Sequence, residues 1–257
     1  MLCRYSMLII FYVALDDVCV SVVESILCWA IFFDGEFMGL TELQVKNFGN
    51  AINAYAFPAT YYDFVQNVPI RAAGMAGVES AIGNMLLSAN PETAKQGLAN
   101  ILYWGYAQIG FGPTRVDRFW NGVTTDQIHK YQTLVTTRSL PTLRQLRDVG
   151  MPEYSGISFL SKILMFLNQT EYCVLDLQLA KLSPSSSFRA LHKLKFTTTI
   201  GVTEHNKNIY NQWRKECMAI SKAYFNGSYR VVDIERGFFY LIQSAKVSEA
   251  QEIYASA

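Results

Sequence analysis

From Met38 to the end of the chain, apolar residues recur three or four positions apart, and most such runs open on a residue that can cap a helix. Thr41 precedes Leu43, Phe48, Ile52 and Tyr55, which share one helical face. Asn90-Pro91-Glu92 supplies an N-cap, a first-position proline and a first-turn acid for a helix through Ile101, Leu102 and Trp104. Gly110 and Gly112-Pro113 are expected to stop that helix. Thr114 can then cap a segment carrying Val116, Phe119 and Trp120, and Thr124 or Thr125 one carrying Ile128, Tyr131 and Leu134. Ser139 and Pro141 lead into a short helix from Thr142 to Asp148.

The same periodicity predicts a long helix from about Thr203 to Tyr224, striped by Ile209, Trp213, Cys217 and Ile220. Another follows from Val231 to about Ser244, through Ile234, Phe238, Phe239, Leu241 and Ile242. Phe196 to Val202 is the best strand candidate, although its isolation also suits a loop. Ser183 to Ser187 (SPSSS) reads as a surface loop. The expected fold class is therefore all-α, a helical body over residues 38–257 that is either single or divided into two lobes with a groove between them.

The chain has 257 residues, of which 51% are hydrophobic and 17% charged. That is too apolar for disorder and too interrupted by charge for a polytopic membrane protein. In Met1 to Phe37, Arg4 stands against Asp16, Asp17, Glu24, Asp34 and Glu36, a balance of −4 that leaves +5 on the remainder of a chain with net charge +1. A modest excess of this kind is compatible with a polyanion partner. Met7 to Leu15 is continuously apolar and resembles a signal-peptide core, but Asp16 and Asp17 follow at once and no small-residue cleavage pattern appears. About 20 apolar residues are needed to span a bilayer, so a membrane partner is not expected. The segment is a core element, an anchor, or sequence preceding a true start at Met38. Cys3, Cys19, Cys28, Cys173 and Cys217 form no CxxC pair, which points to free thiols in a reducing, cytoplasmic setting. Three scattered histidines offer no metal site.

The segment that carries chemistry runs from Leu143 to Leu182. It reads as a short helix, a turn containing Gly150 and Gly156, a helix to about Leu167, a loop, and an apolar run from Tyr172 to Leu175 that delivers Asp176. By spacing alone Asp176 is the N-cap of a helix continued by Leu177, Leu179, Ala180 and Leu182. The other reading is a carboxylate brought to the edge of a groove.

These residues resemble the helix-hairpin-helix superfamily of DNA glycosylases, particularly its 8-oxoguanine and adenine-mismatch branches, in which a glycine-rich hairpin and a helix precede an extended apolar segment ending in an aspartate. The hairpin would be Val149 to Ser158, the helix Phe159 to Leu167, and the aspartate Asp176 in Val174-Leu175-Asp176. About forty residues carry the likeness, which extends more loosely to Trp104-Gly105 and to Arg230 through Arg236. The hairpin departs from the compact G-[IV]-G pattern, having Gly156-Ile157-Ser158, and Lys162 lies 14 residues before Asp176, where a wider gap is usual. No four-cysteine cluster motif is present, so no cofactor is implied.

The resemblance implies a monomeric, monofunctional enzyme that flips a modified or mispaired base out of double-stranded DNA and hydrolyses its N-glycosidic bond. Asp176 would stabilise the cationic sugar, and Lys162 is the candidate for imine chemistry, its other reading being a solvated or phosphate-contacting helix residue. Trp104, Tyr172 and Gln178 are candidates for the base pocket, with aromatic residues at helical spacing also suiting the core. Gly156 and Ser158 would meet a phosphate at the helix start. Lys181, Arg189, Lys193 and Lys195 would follow the DNA backbone or form a solvated loop. Oxidised purines and the hypermodified bases of phages, such as glucosylated hydroxymethylcytosine, are the substrates in view, the latter in anti-phage defence. Two rival readings are a non-catalytic helical DNA-binding or interaction module and a membrane-tethered helical protein.

Overall fold

The computed structural model describes residues 39–137 and 139–257, so Met7 to Leu15 and the rest of the first 38 residues lie outside it. Helix α1 (Glu42–Asn53) starts where Thr41 and Gln44 form a reciprocal capping box. A hairpin follows, β1 (Thr60–Asp63) pairing antiparallel with β2 (Val68–Arg71) so that Thr60 faces Arg71 and Asp63 faces Val68. Asp63 Oδ1 accepts from the N–H groups of Val65 and Gln66, and Asn67 takes the left-handed conformation that closes the turn. The chain then forms α2 (Met75–Leu86), α3 (Pro91–Gly105), α4 (Gly112–Gly122), α5 (Thr125–Val135), α6 (Leu143–Asp148) and α7 (Ile157–Leu167). Two short 3-10 turns, Leu179–Leu182 and Ala190–Lys193, lead to α8 (Glu204–Phe225), α9 (Val231–Gln243) and α10 (Val247–Ser256). The described protein is mainly helical.

Local side-chain capping explains five of the ten described helix starts. Asn90 accepts from the N–H groups of Glu92 and Thr93 at the head of α3, Thr124 and Thr142 form capping boxes with Gln127 and Gln145, and Thr203 caps α8. Several expectations are corrected. Helix α3 ends at Gly105, and Gly112-Pro113 opens α4 instead of stopping its predecessor, because proline's fixed φ suits a first turn. Thr114 lies inside α4 and is not its cap. No full helix starts at Asp176; only one 3-10 turn follows. Phe196 to Val202 forms no strand, and pairs only through a bridge from Gly201 to Gly156. The Asn206 side chain binds the carbonyls of Lys195 and Gly201, which ties this stretch into a loop.

One continuous core spans both ends of the described chain, so two separate lobes are not distinguished among these residues. Helices α1 and α9 approach so closely that a Cβ on Gly237 would stand 2.6 Å from Ile52 Cγ1 and 2.8 Å from Phe48 Cε2. Phe48 and Phe238 rings meet at 4.5 Å, and Trp213 packs on Phe238 and Tyr254. Each such buried side chain contributes about 1.5–3 kcal/mol. Cys173 and Cys217 are fully buried in this core, as small apolar residues would be. Among the described residues, no helix is long and apolar enough to cross a membrane.

Candidate functional site

The geometry around Asp176 follows from a chain reversal. Helix α7 ends at Asn168, whose side chain accepts from Thr170 and Glu171 N–H groups and turns the backbone round. Residues 173–176 then run back along α7, with the Leu175 N–H donating to Ser161 Oγ at 3.1 Å. Lys162 is the next residue on the helix. This return brings Lys162 Nζ to 3.7 Å from Asp176 Oδ2, although 14 positions separate them in sequence.

The extended segment is clamped through several of its backbone groups. Tyr210 donates its hydroxyl to the Cys173 carbonyl at 2.8 Å, and the Trp213 indole N–H donates to the Val174 carbonyl at 3.2 Å. The Val174 N–H donates to Glu235 Oε2 at 3.4 Å. Buried backbone groups that are paired in this way hold the segment in one position. Asp176 sits at its free end with two distinct oxygens. Oδ1 accepts from the Gln178 and Leu179 N–H groups at 3.0 and 3.2 Å, while Oδ2 faces Lys162. The capping and catalytic readings of this aspartate are thus compatible, because each uses a different oxygen.

Asp176 opens onto a cavity of about 140 Å³ whose walls include Trp104, Gly105, Lys162, Gln178, Glu235 and Arg236. An engineered protein cavity of about 150 Å³ accepts benzene, so this volume suits one flat ring. The Asp176 side chain is 20% exposed and that of Lys162 only 8%, so the carboxylate is reachable while the ammonium is set behind it. Lys162 also donates to the Ser158 carbonyl at 3.2 Å and lies 4.9 Å from the Phe159 ring. Gly105 makes room for this arrangement, since a Cβ there would come to 2.8 Å from Phe159 and 3.3 Å from Lys162 Cε. Trp104 is buried between Phe57, at 4.6 Å, and Phe166, at 5.1 Å.

Glu235 was not singled out from the sequence. It is fully buried, and that burial pushes its carboxyl up to about 8, against the opposing pull of Arg236 and with the Asp176 charge raising it further. Its available signal was a Glu-Arg pair inside an apolar helix. Arg236 is held by Glu79, whose Oε1 lies 2.6 Å from Nη1, and Glu79 also binds Arg230 at 2.7 Å. Burial likewise raises the Tyr55 hydroxyl, with Arg236 pulling the other way.

Of the expected site residues, Asp176, Lys162, Trp104 and Gln178 converge on this cavity. Tyr172 does not; it lies in a separate hollow with Tyr210, its ring 3.5 Å from the Arg214 guanidinium carbon. The turn at Gly150 and Glu153 is left-handed, as a hairpin requires, but the Ile157 N–H at the start of α7 is occupied by the Ile200 carbonyl at 2.9 Å. Gly156 faces that same loop, while Ser158 spends its carbonyl on Lys162. Lys181, Lys193 and Lys195 are exposed, Lys181 binding Gln178 Oε1 at 2.6 Å. Arg189 is tied to the Ala255 carbonyl and to the Tyr254 ring, so it belongs to the packing of α10. No set of three or more His, Cys, Asp or Glu side chains among the described residues is placed to hold a metal. Comparison with protein families, with curated proteins and with solved structures finds no match to this chain.

Proposed function

We propose that the protein is a DNA glycosylase that receives one base in the Asp176 cavity and cuts its glycosidic bond. The observation that carries this reading is Asp176 itself: a carboxylate on a clamped segment, with one oxygen fixed by backbone N–H groups and the other beside Lys162, the side chain partly exposed in the wall of a ring-sized cavity. As the base departs, the sugar becomes cationic at C1′, and a fixed carboxylate stabilises that charge without reorganising. The same oxygen can orient or deprotonate an attacking water. Trp104 supplies an aromatic wall for a base that has left the stack. The cavity volume suits an unadorned ring, so a glucosylated base would have to project its sugar through the mouth.

A second reading of the reaction is favoured by the 3.7 Å separation of Lys162 and Asp176. Lys162, once deprotonated, could attack C1′ as the glycosidic bond breaks and the base leaves, and opening of the C1′–O4′ bond of the sugar would then give the imine, with Asp176 accepting the proton lost from the lysine nitrogen. The basic side chains of Lys181, Lys193 and Lys195 suit a phosphate backbone. A non-catalytic DNA-binding module remains the alternative function. The wild-type protein and Asp176→Asn should be incubated with duplexes bearing modified or mispaired bases and with phage genomic DNAs, then treated with alkali. The proposal expects strand breaks with wild type alone and equal DNA binding by both; no breaks on any substrate, or equal breaks with Asp176→Asn, would reject it.

A further inference from the structure

Two carboxyl groups line the cavity, Asp176 and Glu235, and the chemistry proposed above uses only the first. Glu235 is set into the wall from α9 and is 4% exposed. Its Oε2 accepts from the Val174 N–H, two residues before Asp176, so one stretch of backbone ties both carboxyl groups together. Its Oε1 has no hydrogen bond within the described residues. Nor is it one of the sealed, unpaired atoms there, which are Trp104 Nε1, Ser185 Oγ and Arg236 Nη2, so Oε1 is the oxygen that the cavity reaches.

No cation is left to balance a charge on Glu235. Arg236 is taken up by Glu79 and the Tyr55 hydroxyl, and Lys162 by Asp176. A buried carboxyl without a paired cation keeps its proton, which agrees with the rise of this group to about 8. The groups that face it are Arg236 on its own helix and Lys162 on α7, which oppose that rise, and Asp176, whose charge adds to it. Tyr55, Tyr210 and Cys217 also face it and are themselves held neutral by burial. A proton-bearing carboxyl beside an ionised one is the arrangement that divides acid from base work in one site.

We propose that Glu235 is the proton donor to the departing base, and that this base is a pyrimidine, the single ring that a cavity of about 140 Å³ admits. The C1′–N1 bond breaks with its electron pair passing to the ring, and the Glu235 proton moves to a carbonyl oxygen of that ring, so the base leaves neutral. Water bonds to C1′ through its oxygen and gives a proton to Asp176. Once the base has gone, solvent returns that proton to Glu235, and the net change is one water consumed. This inference rests on the base-excision reading.

The test is single-turnover base release at pH 7 from two duplexes, one carrying 2′-deoxyuridine and the other 5-fluoro-2′-deoxyuridine, each opposite guanine. Fluorine withdraws electrons and stabilises the departing ring as an anion, so that ring has less need of a proton. Glu235→Gln keeps an acceptor for Val174 and is expected to lose about 100-fold or more on uracil, but less than about tenfold on fluorouracil. Equal losses on both, or no loss on uracil, overturn the inference, since a merely structural role would slow both alike. In wild type the uracil rate should fall by about tenfold for each pH unit above about 8, and in Glu235→Gln it should not. A flat wild-type profile to pH 9 overturns the inference, and this profile decides alone should the variant fail to fold. Release of a base from other duplexes but not from these two also overturns it and leaves the glycosylase reading intact, whereas release of no base from any duplex rejects both.

Discussion

Replacing Glu235 with glutamine should reshape how stability depends on pH. The folded chain holds the Glu235 carboxyl at about 8, against an ordinary 4.5, so it keeps a proton that the unfolded chain releases. Stability from this group is therefore fully present below about pH 4.5, falls as pH rises toward 8, and is flat beyond. The separation of about 3.5 corresponds to about 5 kcal/mol at 1.36 kcal/mol for each tenfold change in proton binding. About 4 kcal/mol of that is lost between pH 5 and pH 8.5, which for a chain of this size is a fall in Tm of about 8–16 °C. Every ionisable group facing Glu235 has to be counted in that balance: Arg236 and Lys162 oppose the shift, while Asp176, Tyr55, Tyr210 and Cys217 reinforce it or are raised by it.

Glu235→Gln removes the titration and keeps a carbonyl that can accept from Val174. Thermal melts of both proteins across pH 5 to 9 should nearly coincide at pH 5, then diverge, with the glutamine variant the more stable at pH 8.5. Contributions from the three histidines and the surface carboxylates are common to both and cancel in the difference. Parallel curves would refute the reasoning, because they would mean that Glu235 is ionised in the fold and paired with Arg236.

Borohydride trapping addresses Lys162: if it forms an imine, wild type cross-links to a substrate duplex and Lys162→Gln does not, whereas a water-using enzyme gives no adduct in either. Glu79→Gln weakens the ion pairs to Arg230 and Arg236, one of them almost wholly buried. Removing one partner of a buried pair costs about 3 kcal/mol or more, so Tm should fall by about 6–12 °C, and an unchanged melting curve would show that the network carries no stability.

Helix starts were legible because their causes are local. A threonine and a glutamine three residues on satisfy each other's backbone at Thr41, Thr124 and Thr142 without help from the rest of the chain. Helix α2 escaped notice for the converse reason: Gly74 precedes it and offers no side-chain cap. The hairpin of β1 and β2 was missed because its strands are only four residues long and half-buried throughout or mostly exposed, leaving no alternation to read. Phe196 to Val202 takes the loop alternative and not the strand, because β-branched content describes a surface to be packed and here the Asn206 amide decides the conformation.

The site was readable where residues adjacent in sequence stay adjacent in space. Asp176 needs only the reversal at Asn168 to meet Lys162, and Gln178, two residues on, lines the same cavity. Trp104 was placed through the glycine beside it, and Gly105 does clear space, though for Lys162 and Phe159 more than for the indole. Glu235 and Arg236 reach the cavity from α9, near the other end of the chain, and only tertiary packing puts them there. Tyr172 was misplaced because the extended segment turns it away from Asp176, toward Arg214.

The central claim is that Asp176 stabilises a sugar that turns cationic. It is tested most directly by comparing two substrate-mimic duplexes, one carrying a cationic pyrrolidine in place of the target nucleotide and the other a neutral tetrahydrofuran. Wild type should bind the pyrrolidine duplex about 100-fold more tightly, as expected for a transition-state mimic, and Asp176→Asn should bind both alike. Equal affinity of wild type for the two duplexes would contradict the account.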